Sequence, residues 1–304
     1  MGDYGRPIEF GISVVPTAAD LPQTRSTVTL ADAQGLDLVG IQDHPYQWRF
    51  LDTWALMADL LARTTRIRIF PDVANLPMRV PAMIAKEAAS LDVLSGGRFE
   101  LGIGSGAFWQ AIEAMGGPFR TPPDAVAALE EAIRIIRLFW SGERTITFDG
   151  RFYSVHGLHP GPAPAHRIGL WIGGYKPRML RLIGRLADGW IPPLLSYAPP
   201  EGMPAMQRRI DEAAQAEGRD PRDIRRIYNL PGEIVDGPTR GLLQGPVAHW
   251  VETLTQFALD AGFDTFVFWP NTDPVHQTER FAQEIVPEVR TAVERARTSS
   301  AKVG

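Results

Sequence analysis

Short apolar, strand-like runs alternate with amphipathic helical stretches from one end of this chain to the other, and the alternation repeats eight times. "IEFGISVV", "LDLVGIQ", "IRIFPDVANL", "RFELGIG", "IGLWIG", "DGWIPPL", "IRRIYNLPGEIV" and "TFVFWP" read as strands. Between and after them lie the helical stretches 18–35, 51–63, 81–97, 125–140, 177–186, 203–217, 246–261 and 275–297. Within 51–63, Leu51, Trp54, Ala55, Ala58 and Leu61 fall on one face. Pro81 suits a first helical turn, Gly96-Gly97 suit a helix end, and Asp124 is the expected N-cap of the fourth helix. Strands that each hand on to a helix form a parallel sheet, and eight such units over 304 residues predict a (β/α)8 TIM barrel. An open doubly wound sheet is the rival, but no linker or shift in composition divides the chain. The expectation is therefore a single domain over 1–304. A hairpin and Pro-rich loop (about 141–167, with Asp149-Gly150 as turn signal) is inserted after helix four, and the tail 298–304 frays.

Several function classes drop out early. The chain has no cysteine, so it has no disulfide, thiolate metal site or cysteine nucleophile. A net charge of −4 without a basic block argues against nucleic acid as a partner. No apolar run is long enough to span a bilayer, and "MGDYGRPIEFG" has neither a signal-peptide pattern nor the Ser or Thr of a myristoylation site. A cytoplasmic protein with a small-molecule partner is expected. His156, His159 and His166 lack metal-ligand spacing and are expected at the surface; no metal site is predicted. Nucleophile-elbow, Walker and H-E-x-x-H motifs are absent.

Barrel enzymes place their sites at the C-terminal ends of the strands. Strand two ends in Asp43, His44, Pro45, Tyr46, Gln47 and Trp48. An imidazole there can donate or accept a proton, and Pro45 biases His44 to extended geometry. In strand three, Pro71 and Asp72 break regular pairing, which in a closed barrel implies a bulge presenting Asp72, Val73, Ala74 and Asn75 to a ligand. Strand four ends in Gly104, Ser105 and Gly106, where glycines allow close approach of a flat ring or a phosphate. After strand five, Gly173, Gly174, Tyr175 and Lys176 precede a helix start at Pro177. That is a natural anion site, with Arg178 and Arg181 nearby. Trp48 and Trp109 are candidates to wall a pocket for a planar ligand.

Taken together, these strand ends resemble the luciferase-like flavin and deazaflavin oxidoreductases, over nearly the whole chain. "RVPAMIAKEAASLDVLSGGRFELGIGSGAFW" and "IGGYKPRMLRLIGRLADGW" are similar to the family's two signatures, and "DHPYQW" to its F420-dependent branch. The resemblance implies coenzyme F420 at the C-terminal face, with FMN as the alternative cofactor. It implies a non-proline cis peptide, here at Asp72-Val73, and phosphate contacts from 104–106 and 173–176. It also implies hydride transfer between the deazaflavin C5 and a small organic substrate. His44 would be the proton donor or acceptor, oriented by Asp43 or a backbone group, and Trp48 would wall the substrate side. The family's sugar-phosphate dehydrogenases carry a catalytic Glu just after the strand-four glycines; Ala107 stands here, which argues against that substrate. Barrels of this family often pair, so a homodimer is among the assemblies the resemblance allows. Two other readings remain: an FMN-dependent monooxygenase, and a non-catalytic flavin- or ligand-binding barrel.

Overall fold

A computed structural model describes residues 2–194 and 196–301. Its barrel strands are β1 (Glu9–Val14), β2 (Leu38–Ile41), β3 (Arg68–Pro71), β4 (Ala74–Asn75) and β5 (Leu101–Gly104). After a two-stranded hairpin, β6 (Ile146–Asp149) and β7 (Ser154–Leu158), come β8 (Leu170–Gly173), β9 (Gly189–Ile191), β10 (Arg225–Ile234), a short β11 (Gln244–Gly245) and β12 (Thr265–Pro270). All pairings in the large sheet are parallel, in the order β3-β2-β1-β12-β10-β9-β8-β5-β4. β3 and β4 are the two halves of the third predicted strand, so the ends of this path meet and the ring closes as the predicted (β/α)8 barrel. The hairpin sits where the insertion was expected.

Helices α1 (Leu21–Ala33), α2 (Thr53–Arg63), α3 (Pro81–Ser95), α4 (Trp109–Ala114), α5 (Pro122–Phe139), α6 (Pro177–Leu186), α7 (Met203–Ala216), α8 (Val247–Leu259), α9 (Pro274–Arg280) and α10 (Val286–Ala301) surround it. None is long and apolar enough to cross a membrane. Period-two alternation sets the two faces of each strand. Phe10, Ile12 and Val14 of β1 pack outward into the helix layer, while Leu38, Phe70, Trp171, Ile191, Ile227 and Val267 form a separate core inside the ring. Below that inner core, Arg68 binds Glu9 at 2.6 Å and Glu100 at 3.0 Å, and Arg225 binds Glu9 at 2.8 Å.

Three local expectations need correction. Asp124 is not the N-cap of α5. Thr121 is, accepting the Asp124 N–H, and the helix opens on Pro122. The closing helix is not continuous: Phe281–Ile285 form a π turn between α9 and α10. Pro287, just beyond it, has no N–H for the carbonyl four residues back, and a wider turn relieves that mismatch. His166 is not a free surface residue. Its Nδ1 lies 2.7 Å from Asp92 Oδ1, on a carboxylate sealed from solvent, and its Nε2 lies 3.7 Å from Glu100 Oε1. The second distance is too long for a hydrogen bond, so Glu100 acts through charge. This pins the end of the insertion to the C-terminal turn of α3, which Gly96 closes in the left-handed conformation as expected.

The third strand breaks at the Asp72-Val73 peptide, which is cis. The break decides why its neighbours are glycines. A Cβ at Gly102 would lie 2.2 Å from the Pro71 carbonyl oxygen, one at Gly104 would lie 2.8 Å from Val73 Cγ2, and one at Gly173 would lie 3.0 Å from the same methyl. These glycines therefore make room for the bulge itself.

Two predictions follow from this packing. Gly104→Ala should cost about 1–3 kcal/mol in urea denaturation, the usual range for overpacking. The cost should shrink in a Val73→Ala background, and an undiminished cost there would clear Val73 of responsibility. For His166, Glu100 and Asp92 raise its pKa against the opposing effect of burial. A raised folded-state pKa gives stability that is fully present below about 6.5 and is lost as pH rises through the folded value. His166→Ala should thus lose on the order of 1 kcal/mol at pH 5.5, and less at pH 8.5. Equal losses at both pH values would refute the ionic account.

Candidate active site

The sequence between β2 and α2 turns sharply at the top of the barrel. Thr53 Oγ1 donates to the Gln42 carbonyl, and the Gln47 N–H closes a turn on the His44 carbonyl at 2.9 Å. Asp43 is 2% exposed, and its Oδ2 accepts the Asn75 backbone N–H at 2.9 Å. Burial raises the Asp43 pKa, opposed by that N–H and by the Arg79 charge. Asp43 therefore ties the end of β2 to β4, the far half of the broken strand. Among the described residues no hydrogen bond joins it to His44.

His44 is held by rings instead. Tyr46 stacks on it at a centroid distance of 5.6 Å and 18° between planes, and Phe108 meets it edge-on at 5.7 Å. Burial alone lowers its pKa, so near neutrality the imidazole is uncharged. Phe108 sits at φ 57°, a left-handed conformation uncommon outside glycine, as the residue that opens α4. Its ring is 60% exposed. Trp109 and Phe119 continue the aromatic rim, 6.1 Å apart. Trp48 is placed differently from the wall expected of it: it is 84% exposed, with the Arg49 guanidinium 4.8 Å over its ring.

Unmet polar demand gathers at this mouth. Ser13 Oγ, Tyr46 Oη, Asp72 Oδ2 and Asn75 Oδ1 are shielded from solvent and have no partner. They come from the C-terminal halves of β1 and β4, the loop after β2 and the bulge. Burial pushes the Tyr46 hydroxyl up to about 12, with Asp43 adding to the effect, so it stands as a neutral donor. Burial also lifts Asp72 to about 7, opposed by the Asn229 amide. Asn229 in turn accepts the Trp269 indole N–H at 3.0 Å.

Across the mouth, β8 runs into Gly173, Gly174 and α6. The Gly174 carbonyl accepts the Trp190 indole N–H at 2.7 Å, and a Cβ on Gly174 would strike Met179 Cγ at 2.4 Å. Lys176 stands at the N-cap of α6 with its ammonium 4.6 Å over the Tyr175 ring, and Lys176 and Arg178 are exposed. Among the described residues Lys176, Arg178 and Arg181 form no ion pair. Ser105 and Gly106 follow β5, and a Cβ on Gly106 would meet Pro77 at 2.5 Å. No cluster of metal-ligating side chains occurs among the described residues.

The structure thus brings Asp43, His44 and 72–75 together and sets 104–106 and 173–176 on the same rim. Sequence reasoning missed Tyr46, Phe108, Ser13, Asn229 and Trp269 as site residues. A signal existed for Asn229, a polar residue two positions on from Ile227, which faces the inner core.

Comparison with known proteins agrees with this geometry. Residues 7–234 match the family model described as luciferase-like monooxygenase. An uncharacterized protein of Mycobacterium tuberculosis is 30% identical over 79% of each chain. An F420-dependent glucose-6-phosphate dehydrogenase of Kineococcus radiotolerans is 29% identical over 73% of this chain and 68% of its own. An F420-dependent secondary alcohol dehydrogenase, solved with an F420-acetone adduct, superposes with a TM-score of 0.83 at 18% identity, covering 93% of this chain and 99% of that one. The chain belongs to the luciferase-like monooxygenase family.

Proposed function

We propose that this protein is an F420-dependent oxidoreductase acting on a small organic substrate, with His44 as the proton donor or acceptor. The observation that carries the reading is the pairing, on one barrel mouth, of an uncharged imidazole with a bulged strand and an unpaired cationic helix start.

The residues fit the cofactor class. A deazaflavin has a flat ring edged by carbonyl and N–H groups, and the four solvent-shielded atoms without partners, Ser13 Oγ, Tyr46 Oη, Asp72 Oδ2 and Asn75 Oδ1, answer to such an edge. Its anionic side chain would be held by Lys176, Arg178 and Arg181 at the start of α6, where free backbone N–H groups and the helix dipole add to their charge. When bound, the deazaflavin supplies or accepts the hydride at C5.

The chain's own contribution is then positional and acid–base. Asp43 fastens β2 to β4 and so holds the bulge in register with His44. Tyr46 and Phe108 fix the plane of the imidazole and keep water from its faces. A neutral imidazole offers one nitrogen as acceptor and the other as donor, so it serves either direction of an alcohol–carbonyl interconversion. The substrate's oxygen would share its proton with His44 while Phe108, Trp109 and Phe119 cover its apolar part. Ala107 is exposed and has no ionisable group where the sugar-phosphate enzymes resembled by the sequence have an acid.

Titration of the protein with F420 and, separately, FMN tests the cofactor assignment. F420 should bind at least tenfold tighter; tighter FMN binding would turn the reading to the monooxygenase branch, and binding of neither would turn it to a non-catalytic barrel. With a confirmed substrate, His44→Ala should lower kcat by about 10²–10⁴ while leaving the F420 Kd within about threefold. Unchanged turnover would remove His44 from the chemistry.

A further inference from the structure

Asp72 is counted above only among the atoms facing the ring edge, and its surroundings are unusual for an acid. It begins the cis peptide and its side chain turns into the barrel: a Cβ built at Gly40 of β2 would lie 3.2 Å from both Asp72 Cβ and Oδ2. Every group brought up to it is uncharged. β1 contributes Ser13, the register partner of Gly40; β3 contributes Phe70; β10 contributes Asn229, and β12 contributes Trp269 behind Asn229. Asp43 and His44, the titratable groups beyond β2, are not among the influences on it.

The amide chain has a direction. Trp269 donates its indole N–H to Asn229 Oδ1, which fixes the amide and leaves Asn229 Nδ2 to face the Asp72 carboxyl. Asn229 influences the carboxyl without closing a hydrogen bond to it. Oδ2 is out of solvent and has no partner. A buried oxygen in that state asks either for a proton of its own or for a ligand atom.

We propose that Asp72 is a cofactor-recognising residue: its carboxylic acid, positioned by Asn229 and Trp269, donates a hydrogen bond from Oδ2 to an acceptor atom of the heterocyclic ring seated on the Asp72-Val73 bulge. This rests on the flavin-type cofactor assigned above. Two consequences set Asp72 apart from a structural filler. Only the neutral acid has a proton to donate, and loss of that proton places a bare anion under the ring. Because burial holds the carboxyl near 7 instead of near 4, the switch between the two states falls within the working pH range.

The test is the Kd of F420, followed by its absorbance and fluorescence, for the wild type, Asp72→Asn and Asp72→Ser between pH 6 and 8.5. Asn keeps the shape and a donor but cannot ionise; Ser guards against misfolding of either variant. The wild-type Kd relative to that of Asp72→Asn should rise roughly 30-fold over this range, since binding to the acid form alone weakens tenfold per pH unit above the carboxyl's pKa. Taking the ratio cancels the cofactor's own ionisation. A second readout needs no cofactor. A carboxyl whose folded-state pKa is raised loses stability as pH rises toward that value, so the Tm of Asp72→Asn should gain on the wild type from pH 5 to 8.5. A pH-independent Kd ratio overturns the proposal alone. A Tm difference that does not change with pH shows that the carboxyl does not ionise in this window and overturns it too. F420 binding at no pH overturns the proposal and the functional reading together.

Discussion

The break in the third strand is the constraint on which the rest of this barrel depends. A regular strand from Arg68 to Asn75 would pair evenly on both sides. Instead, Arg68–Pro71 pairs with β2 and Ala74–Asn75 with β5, with the cis Asp72-Val73 peptide between. Ile69 of the first half also bridges Phe99 just before β5, so the ring closes on both sides of a kink. The kink pushes the Pro71 carbonyl and the Val73 side chain against β5 and β8, which is why Gly102, Gly104 and Gly173 carry no side chain. It also swings Asp72 inward against Gly40. A single irregularity thus accounts for four glycines on three strands and leaves a ledge at the mouth. Asp43 locks that ledge from the side by accepting the Asn75 N–H.

The barrel's two ends differ in how their charges are arranged. At the N-terminal end the charges are paired: Arg68 bridges Glu9 and Glu100, Arg225 joins Glu9, and Asp264 takes contacts from Arg6 and Arg225. At the C-terminal end polar atoms are buried without partners and the imidazole has only ring neighbours. Buried polar groups are costly when unmet, and at the mouth four of them stand together beside the bulge, where ligand atoms could meet them. This asymmetry locates the site more firmly than any concavity on the helix layer, such as the groove between α8 and α10 lined by Val247, Val251 and Ala292.

Much of this was legible in the sequence, for definable reasons. Eight strand–helix alternations specify a barrel because strand and helix periods differ and parallel strands need crossovers. The break in strand three was readable because Pro71 and Asp72 are each incompatible with a central strand. Position at strand ends also picked out Asp43, His44 and the glycine-rich rims. What escaped depended on contacts between residues distant in sequence. Phe108 reaches His44 only through a left-handed backbone conformation that a bulky aromatic rarely adopts. That Val73 packs against Gly104 and Gly173 also escaped, because nothing in a linear pattern shows which side chain fills the space a glycine leaves. His166 looked like a surface histidine because Asp92, its partner, lies 74 positions away.

The relation between Asp43 and His44 alters the chemistry most. Adjacent in sequence, they suggest a carboxylate orienting an imidazole, an arrangement that would raise the histidine's pKa and favour its charged form. The fold separates them: the carboxylate is spent on a backbone N–H two strands away, and burial among aromatic rings pushes His44 the other way. In the proposed reaction, an imidazole kept neutral would exchange its proton with the substrate's oxygen without first carrying a positive charge into an apolar mouth. Its donor and acceptor faces are then set by the substrate and not by a fixed anion behind it. The same mouth holds Asp72 near neutrality by burial. Burial thus biases Asp43, His44 and Asp72 beside the bulge toward uncharged forms, while Lys176, Arg178 and Arg181, without ion pairs among the described residues, stand apart at the start of α6. Under the proposed function, that division would separate the grip on an anionic tail from the place of hydride and proton exchange.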